Sequence, residues 1–102
     1  MFLDEAQVGA AIVIDPKRQL ALDAAYLLSK HGWIQNGEWS VYGRCIQGAL
    51  KHASTDYRLV LEVINDLGNL VGRPIWSWND RAGRTKSDVV GLLRSYGNGE
   101  IV

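Results

Sequence analysis

The residues best suited to chemistry lie in the run Trp78-Asn79-Asp80 and, shortly after it, Gly83-Arg84-Thr85. A tryptophan ring can anchor a partner, and asparagine and arginine side chains supply directional hydrogen bonds, so the run is typical of a recognition loop. A structural role is the alternative. Trp78 would then fill the core, Asp80 would pair with Arg84, and Thr85 would cap the last helix. The two roles are compatible, because a rigid loop makes a good recognition surface.

Charge and aromatic residues single out the segment 73–86 that contains this run. It carries four cationic side chains against one carboxylate, although the whole chain is neutral, with 11 Lys+Arg and 11 Asp+Glu. Arginines interleaved with tryptophans are typical of surfaces that bind single-stranded nucleic acid. A dedicated nucleic-acid binder, however, carries a basic excess over its whole domain. We therefore expect a protein partner, with nucleic acid as the alternative. The candidate binding residues are Arg73, Trp76, Trp78, Asn79, Asp80 and Arg84.

Catalytic and metal-binding patterns receive little support. Cys45, His52 and Asp56 could suggest a nucleophile with its base and acid, but positions seven apart on one helix are separated by about 10 Å. Cys45 is therefore predicted to be a buried packing residue and His52 an exposed or capping one. Neither a histidine or cysteine metal motif nor a glycine-rich phosphate loop is present in the sequence. No catalytic residue, metal or cofactor is predicted, and a small hydrolase or transferase is the third alternative.

Hydrophobic periodicity and capping residues predict the elements that position these side chains. Asp15-Pro16 marks a helix start, and Gly32 a helix end. Asn36-Gly37 predicts a turn within a small hairpin or ordered loop. The connection 69–84 is long for a compact domain, which indicates either a functional segment that packs on the body or an element that the pattern does not reveal, such as a short turn of helix capped by Asn79 or Asp80. The predicted helices cover 16–31, 45–53, a stretch from Asp56 that Gly68 ends, and a stretch from Thr85 that Gly97 ends.

These elements predict a mainly α-helical single domain of about four helices, with a small extended or hairpin element near residues 33–44. A chain of 102 residues suits one core. Its one cysteine excludes an internal disulfide framework and any multi-cysteine zinc site. Residues 15–96 are the expected core. Residues 1–14 form a possible N-terminal extension that could add a strand or a short helix.

The N-terminal residues give expectations about location. Asp4 and Glu5 stand where a secretory signal needs positive charge, and the apolar run Val8 to Ile14 is far shorter than the ~20 residues that span a bilayer. A cytoplasmic protein without a membrane partner is expected. The same apolar run makes a homodimer conceivable, so the chain is predicted to be a monomer or a homodimer.

The order of several short motifs resembles a small family of domains of unknown function found in actinobacteria and their phages. The motifs are Gly32-Trp33, Cys45-x-x-Gly48-Ala49-Leu50, Trp78-Asn79-Asp80 and Gly83-Arg84-Thr85, followed by a V-x-x-L-L helix. The resemblance runs from about Asp15 to Tyr96. It implies a bacterial or phage source, and no activity, cofactor or site residue. The sequence thus favours a non-catalytic interaction or regulatory accessory protein that binds through residues 73–86.

Overall fold

The first helix begins and ends where the sequence predicts. The structure, a computed structural model, describes residues 15–100. Helix α1 covers Pro16–His31; the Asp15 carboxylate accepts a hydrogen bond from the Lys17 N–H at 2.8 Å, and Gly32 ends the helix with a φ of +103°. The buried stripe of α1 consists of Leu20, Ala21, Ala24, Ala25 and Leu28. The expected N-terminal element lies outside the described residues.

A two-stranded antiparallel hairpin follows α1, as expected for residues 33–44. Strands β1, Trp39–Ser40, and β2, Gly43–Arg44, are joined by a two-residue loop. Asn36 has a φ of +63°, a left-handed conformation that asparagine tolerates well, in agreement with the turn predicted there. The hairpin leads into helix α2, Ile46–Ala53, whose first turn is capped by the Cys45 sulfur at 3.3 Å from the Gly48 nitrogen.

Helix α3, Tyr57–Val71, extends one turn beyond its predicted end. Gly68 does not end it; the helix continues to Val71, and Gly72, with a φ of +77°, takes the capping position. The reason is tertiary packing, which overrides the weak helix propensity of glycine. The Gly68 carbonyl accepts hydrogen bonds from the nitrogens of Gly72 and Arg73, and a Cβ at position 68 would lie 3.2 Å from the Arg73 oxygen.

A short helix lies in the segment expected to be a long connection. Helix α4, Ile75–Asn79, follows Pro74, so the described residues contain five helices instead of about four. The last helix, α5, covers Lys86–Gly97 and has the predicted capping box, in which Thr85 and Asp88 each accept from the other's backbone nitrogen. The mainly α-helical class with a small hairpin is confirmed.

Helix α1 packs against α5, α2 and α3, and the core lies between these helices. Trp33, which follows α1, and Trp78, in α4, are partly buried and pack against this core. No helix of the described residues is long and apolar enough to cross a bilayer. The core side chains outside α1 are Ile46, Ala49, Leu50, Val60, Val63, Leu67, Ile75, Val89, Val90, Leu93 and Tyr96.

Candidate functional site

Asn79, at the end of α4, is the centre of a buried hydrogen-bond network. Its side chain is fully buried. Its Oδ1 accepts from the Trp33 indole N–H at 2.7 Å and from the Ile46 nitrogen at 3.0 Å, and its Nδ2 donates to the Ile34 oxygen at 3.2 Å and to an Asp80 oxygen at 2.9 Å. Both donors and both lone pairs of the amide are thus used. We call these five residues the Asn79 network.

The side chains of Asp80 and Gln35 make additional hydrogen bonds in the same region. The Asp80 oxygen that accepts from Asn79 also accepts from the Asn36 nitrogen at 2.9 Å. The Gln35 amide donates to the backbone oxygens of Asn79, at 3.1 Å, and Arg81, at 2.9 Å. The segment 33–36 is therefore held against the end of α4 by side chains from both sides.

Arg84 does not pair with Asp80, contrary to the sequence-based expectation. Among the described residues, the Asp80 carboxylate is bonded to Asn36 and Asn79, whereas the Arg84 Nε donates to the Trp78 oxygen at 2.9 Å. The Arg84 guanidinium also lies over the Trp78 ring, 3.9 Å from its centroid. Instead of the expected ion pair, Arg84 makes a cation–π contact and a backbone hydrogen bond. Its guanidinium covers one face of the half-buried Trp78 ring.

The outward side of α4 carries the exposed members of the predicted site. Trp76 is 57% exposed, and Arg73 is exposed beside it. Both line an open groove of about 590 Å³, which we call the Trp76 groove. Gln47, Asn65 and Asn69 also line this groove. The buried Gln47 Oε1 has no hydrogen-bond partner in the described part of the chain.

The structure thus divides the six predicted binding residues into two groups. Asn79, Asp80, Trp78 and Arg84 bond to one another or to nearby backbone, whereas Arg73 and Trp76 face the Trp76 groove. Sequence reasoning missed three lining residues, Gln47, Asn65 and Asn69. Asn69 was missed because α3 was expected to end at Gly68; the polar types of Gln47 and Asn65 gave no signal.

Trp39 is exposed as well, at 62%, but it lines a different groove. That groove, of about 380 Å³, lies between the hairpin and the ends of α1 and α2, and His31, Arg44 and His52 contribute to it. Trp39 and Trp76 therefore belong to two separate surfaces, each with one exposed tryptophan.

A polar cluster joins α1, α3 and α5 at the other end of α1. The Asp66 carboxylate accepts from the Tyr96 hydroxyl at 2.7 Å and from Lys17 Nζ at 3.1 Å. The Tyr96 hydrogen bond, with help from Lys17, holds the pKa of Asp66 below its usual value. Burial and the Asp66 carboxylate raise the pKa of Tyr96. The contacts connect three helices and are explained by the fold itself.

Cys45, His52 and Asp56 have separate environments. Cys45 is buried, and burial raises the pKa of its thiol, the opposite of what an activated nucleophile needs. His52 is exposed at the end of α2, and the Asp56 carboxylate caps α3 by accepting from the Leu59 nitrogen at 3.1 Å. Within residues 15–100, no three histidine, cysteine or acidic side chains are grouped so as to hold a metal ion.

These features define a small helical domain with a rigid, hydrogen-bonded connection and two exposed aromatic surfaces. The chain belongs to a family of unknown function, DUF6197, whose model matches residues 15–96. The match confirms that the resemblance to a family of unknown function covers this part of the chain. No curated protein and no solved structure matches the chain.

Proposed function

We propose that this domain is a non-catalytic protein-interaction module that binds its partner through segment 73–86. One observation carries the proposal: Trp76 is 57% exposed on a helix whose opposite side is fixed by the fully buried Asn79. Tryptophan and arginine are the residues most enriched at interaction hot spots. Arg73 and Trp76 are both available at the Trp76 groove.

Preorganisation supports the proposal. Association costs less when the binding surface is already ordered, because fewer side chains and backbone segments lose freedom. Helix α4 is held on its inward side by the Asn79 network, by the Gln35 side chain and by the contact between Arg84 and Trp78. We assign Trp76 and Arg73 to direct contact with the partner. Trp78, Asn79, Asp80 and Arg84 keep the surface rigid.

Gln47, a residue of the Trp76 groove, carries a buried acceptor without a partner among the described residues. A buried polar atom without a hydrogen bond is costly, and a partner that supplies a donor removes this cost. Gln47 Oε1 is such an atom, and Gln47 lines the groove. A backbone N–H of a bound segment would complete it only if the Gln47 side chain turned toward the groove.

The test compares immobilised wild type with Trp76→Ala and Arg73→Ala in lysate of cells that encode the protein. Tyr57→Ala is the matched control, because Tyr57 is an exposed aromatic, at 63%, outside the groove. We expect wild type and Tyr57→Ala to retain the same specific proteins, and Trp76→Ala to lose at least nine-tenths of them. Equal retention by all variants, or no specific retention by wild type, would contradict the proposal.

Nucleic acid is the second candidate, since the described residues lining the Trp76 groove include Arg73 and no carboxylate. Two observations weigh against it. The Arg84 guanidinium is committed to Trp78, and Lys86 Nζ is bound to the Ser29 oxygen at 3.1 Å. A nucleic-acid site would give affinity for single strands that falls steeply with salt and requires Arg73. Undetectable binding at low ionic strength removes this candidate.

The proposal includes the setting of the protein. We infer an accessory or regulatory protein of actinobacterial or phage origin, because the family resemblance implies such a source. A cytoplasmic location and a monomeric or homodimeric state belong to the same proposal. Light scattering of the purified chain measures the oligomeric state.

A further inference from the structure

The hairpin carries the most exposed large apolar side chains of the described residues. Val41 and Tyr42, which form its loop, are each 81% exposed, and the neighbouring Trp39 is 62% exposed. We call these three residues the hairpin tip. Exposed apolar side chains scattered singly are normal, but three within four consecutive positions of one hairpin are a concentration of the kind that marks an interaction site.

Turn chemistry does not account for Val41 and Tyr42. Two-residue hairpin loops favour glycine, asparagine and aspartate, because the preferred turns need a positive φ. Neither loop residue has a positive φ, and the turn is held instead by Ser40, whose Oγ accepts from the Tyr42 nitrogen at 3.0 Å. The side chains of Val41 and Tyr42 are therefore not required to form the turn.

The hairpin is firmly attached to the body, so the tip projects from a fixed base. The Arg44 nitrogen donates to the Gly32 oxygen at 3.2 Å, and the Ile34 nitrogen donates to the Arg44 oxygen at 3.0 Å. A Cβ on Gly43 would lie 2.3 Å from the Gly32 carbonyl carbon, so the two backbones are in direct contact. Such closeness requires glycine at both positions.

The Arg44 guanidinium and two histidine side chains lie behind the tip. The groove that Trp39 and Val41 share is also lined by His31, Arg44 and His52, and by no carboxylate among the described residues. The nearby carboxylate of Glu38 is paired with Lys51 at 2.8 Å. The base of the tip is thus complementary to an anionic group.

The size and composition of the tip favour a lipid surface over a protein surface or a second copy. A stable protein interface buries about 800 Å² on each partner, far more than three side chains provide. Tryptophan and tyrosine are enriched at the headgroup level of bilayers, and a cationic side chain such as Arg44 is attracted to anionic leaflets. We propose that the hairpin tip binds reversibly to the surface of anionic phospholipid bilayers, with a headgroup phosphate near His31, Arg44 and His52.

This inference departs from the expectation that the chain has no membrane partner. That expectation rested on the absence of a spanning segment, and it is the exposure of the tip, visible only in the structure, that changes it. Contact at the headgroup level requires no spanning helix. The surface is also separate from the Trp76 groove, so the two proposals can be tested independently.

The experiment is co-sedimentation of the full chain with two kinds of vesicle. One consists of phosphatidylcholine alone, and the other of phosphatidylcholine with about 30% phosphatidylglycerol, which makes its surface anionic. Variants are the double substitution Val41→Ser with Tyr42→Ser, which removes apolar area from exposed positions, and Arg44→Gln. Tyr57→Ala is the matched control, because Tyr57 is an exposed aromatic, at 63%, that lines neither groove. Thermal melting verifies that each variant is folded.

We expect wild type and Tyr57→Ala to bind the anionic vesicles alike and the neutral vesicles weakly. The double variant should bind at least about tenfold more weakly, a factor that corresponds to 1.4 kcal/mol. Arg44→Gln should reduce the difference between anionic and neutral vesicles. No binding by wild type at low salt, or equal binding by the folded double variant, would overturn the proposal. A double variant that loses a protein partner but not vesicle binding would identify the tip as a protein-binding surface and also overturn it.

Discussion

Trp76 and Trp78 lie two residues apart on the same short helix and have opposite surroundings. Trp76 is 57% exposed, whereas Trp78 packs against the core beneath the Arg84 guanidinium. The helical period explains the difference, because Ile75 and Asn79 occupy the inward side at positions i and i+4 and are both buried. The inward side of α4 makes a fixed set of internal bonds, and the outward side leaves its groups available. Residue type alone does not distinguish a fold residue from a binding residue here.

Removing Asn79 should produce the largest effect of any change to α4. Asn79→Ala leaves the Trp33 indole, the Ile46 nitrogen and the Ile34 oxygen without their partner inside the protein. Because each buried orphan costs about 1–3 kcal/mol, we expect the free energy of unfolding to fall by about 3–5 kcal/mol in denaturant titration. Trp33→Phe, which removes one donor, should cost about 1 kcal/mol. If Asn79→Ala cost no more than Trp33→Phe, the network would not hold the inward side.

The two tryptophans provide the direct test of the comparison. Trp78→Ala removes a ring that packs on the core and the platform for Arg84, so we expect a loss of about 2–3 kcal/mol of stability. Trp76→Ala should change stability by less than about 0.5 kcal/mol, because its ring lies mainly in solvent. Thermal or denaturant unfolding measures both. Similar losses for the two variants would show that the outward side also stabilises the fold.

The polar cluster at the other end of α1 tests whether burial or hydrogen bonding sets these magnitudes. Asp66 is partly exposed, unlike Asn79, so Tyr96→Phe should cost about 1 kcal/mol, less than Asn79→Ala.

The lowered pKa of Asp66 stabilises the folded protein above the unfolded value of about 4, and this contribution is lost as the pH falls below it. The raised pKa of Tyr96 stabilises the protein below about pH 10, and this contribution is lost as the pH rises further.

Unfolding measured from pH 2 to 11 checks these slopes. Tyr96→Phe should abolish the alkaline slope that Tyr96 contributes and weaken the acid one, because Asp66 then keeps only Lys17 as its partner. Unchanged slopes in the variant would assign the pH dependence to other groups.

The helices could be predicted from the sequence because their signals are local. Asp15-Pro16, Asp56 and Thr85 each cap the helix that the periodic apolar residues predict. The predicted end of α3 at Gly68 was wrong, because the backbone that follows packs over this glycine and outweighs its local helix-ending signal. Helix α4 could not be predicted from the sequence, since five residues are too few for a helical period to be recognised.

The order of segment 73–86 could be predicted, but the division of roles within it could not. Its Trp, Asn and Arg residues indicated a segment packed on the body, which its internal hydrogen bonds show, whereas its role as a binding site stays a prediction. Asn79 and Arg84 find their partners through tertiary contacts, Trp33 lying 46 positions from Asn79, and no spacing rule encodes such pairs. The same holds for the hairpin tip, because the exposure of Val41 and Tyr42 depends on how the hairpin projects from the body.

The Asn79 network also bears on how the chain folds. Its side-chain bonds to residues before α3 join positions 33 to 46 apart in sequence, so a long loop must close before any of them forms. Helices with strong local signals, such as α1 and α3, form without that entropic cost. We therefore expect the network to be established after the rate-limiting step. Damage to it would then accelerate unfolding and leave the folding rate nearly unchanged, which makes the network a determinant of the lifetime of the native state.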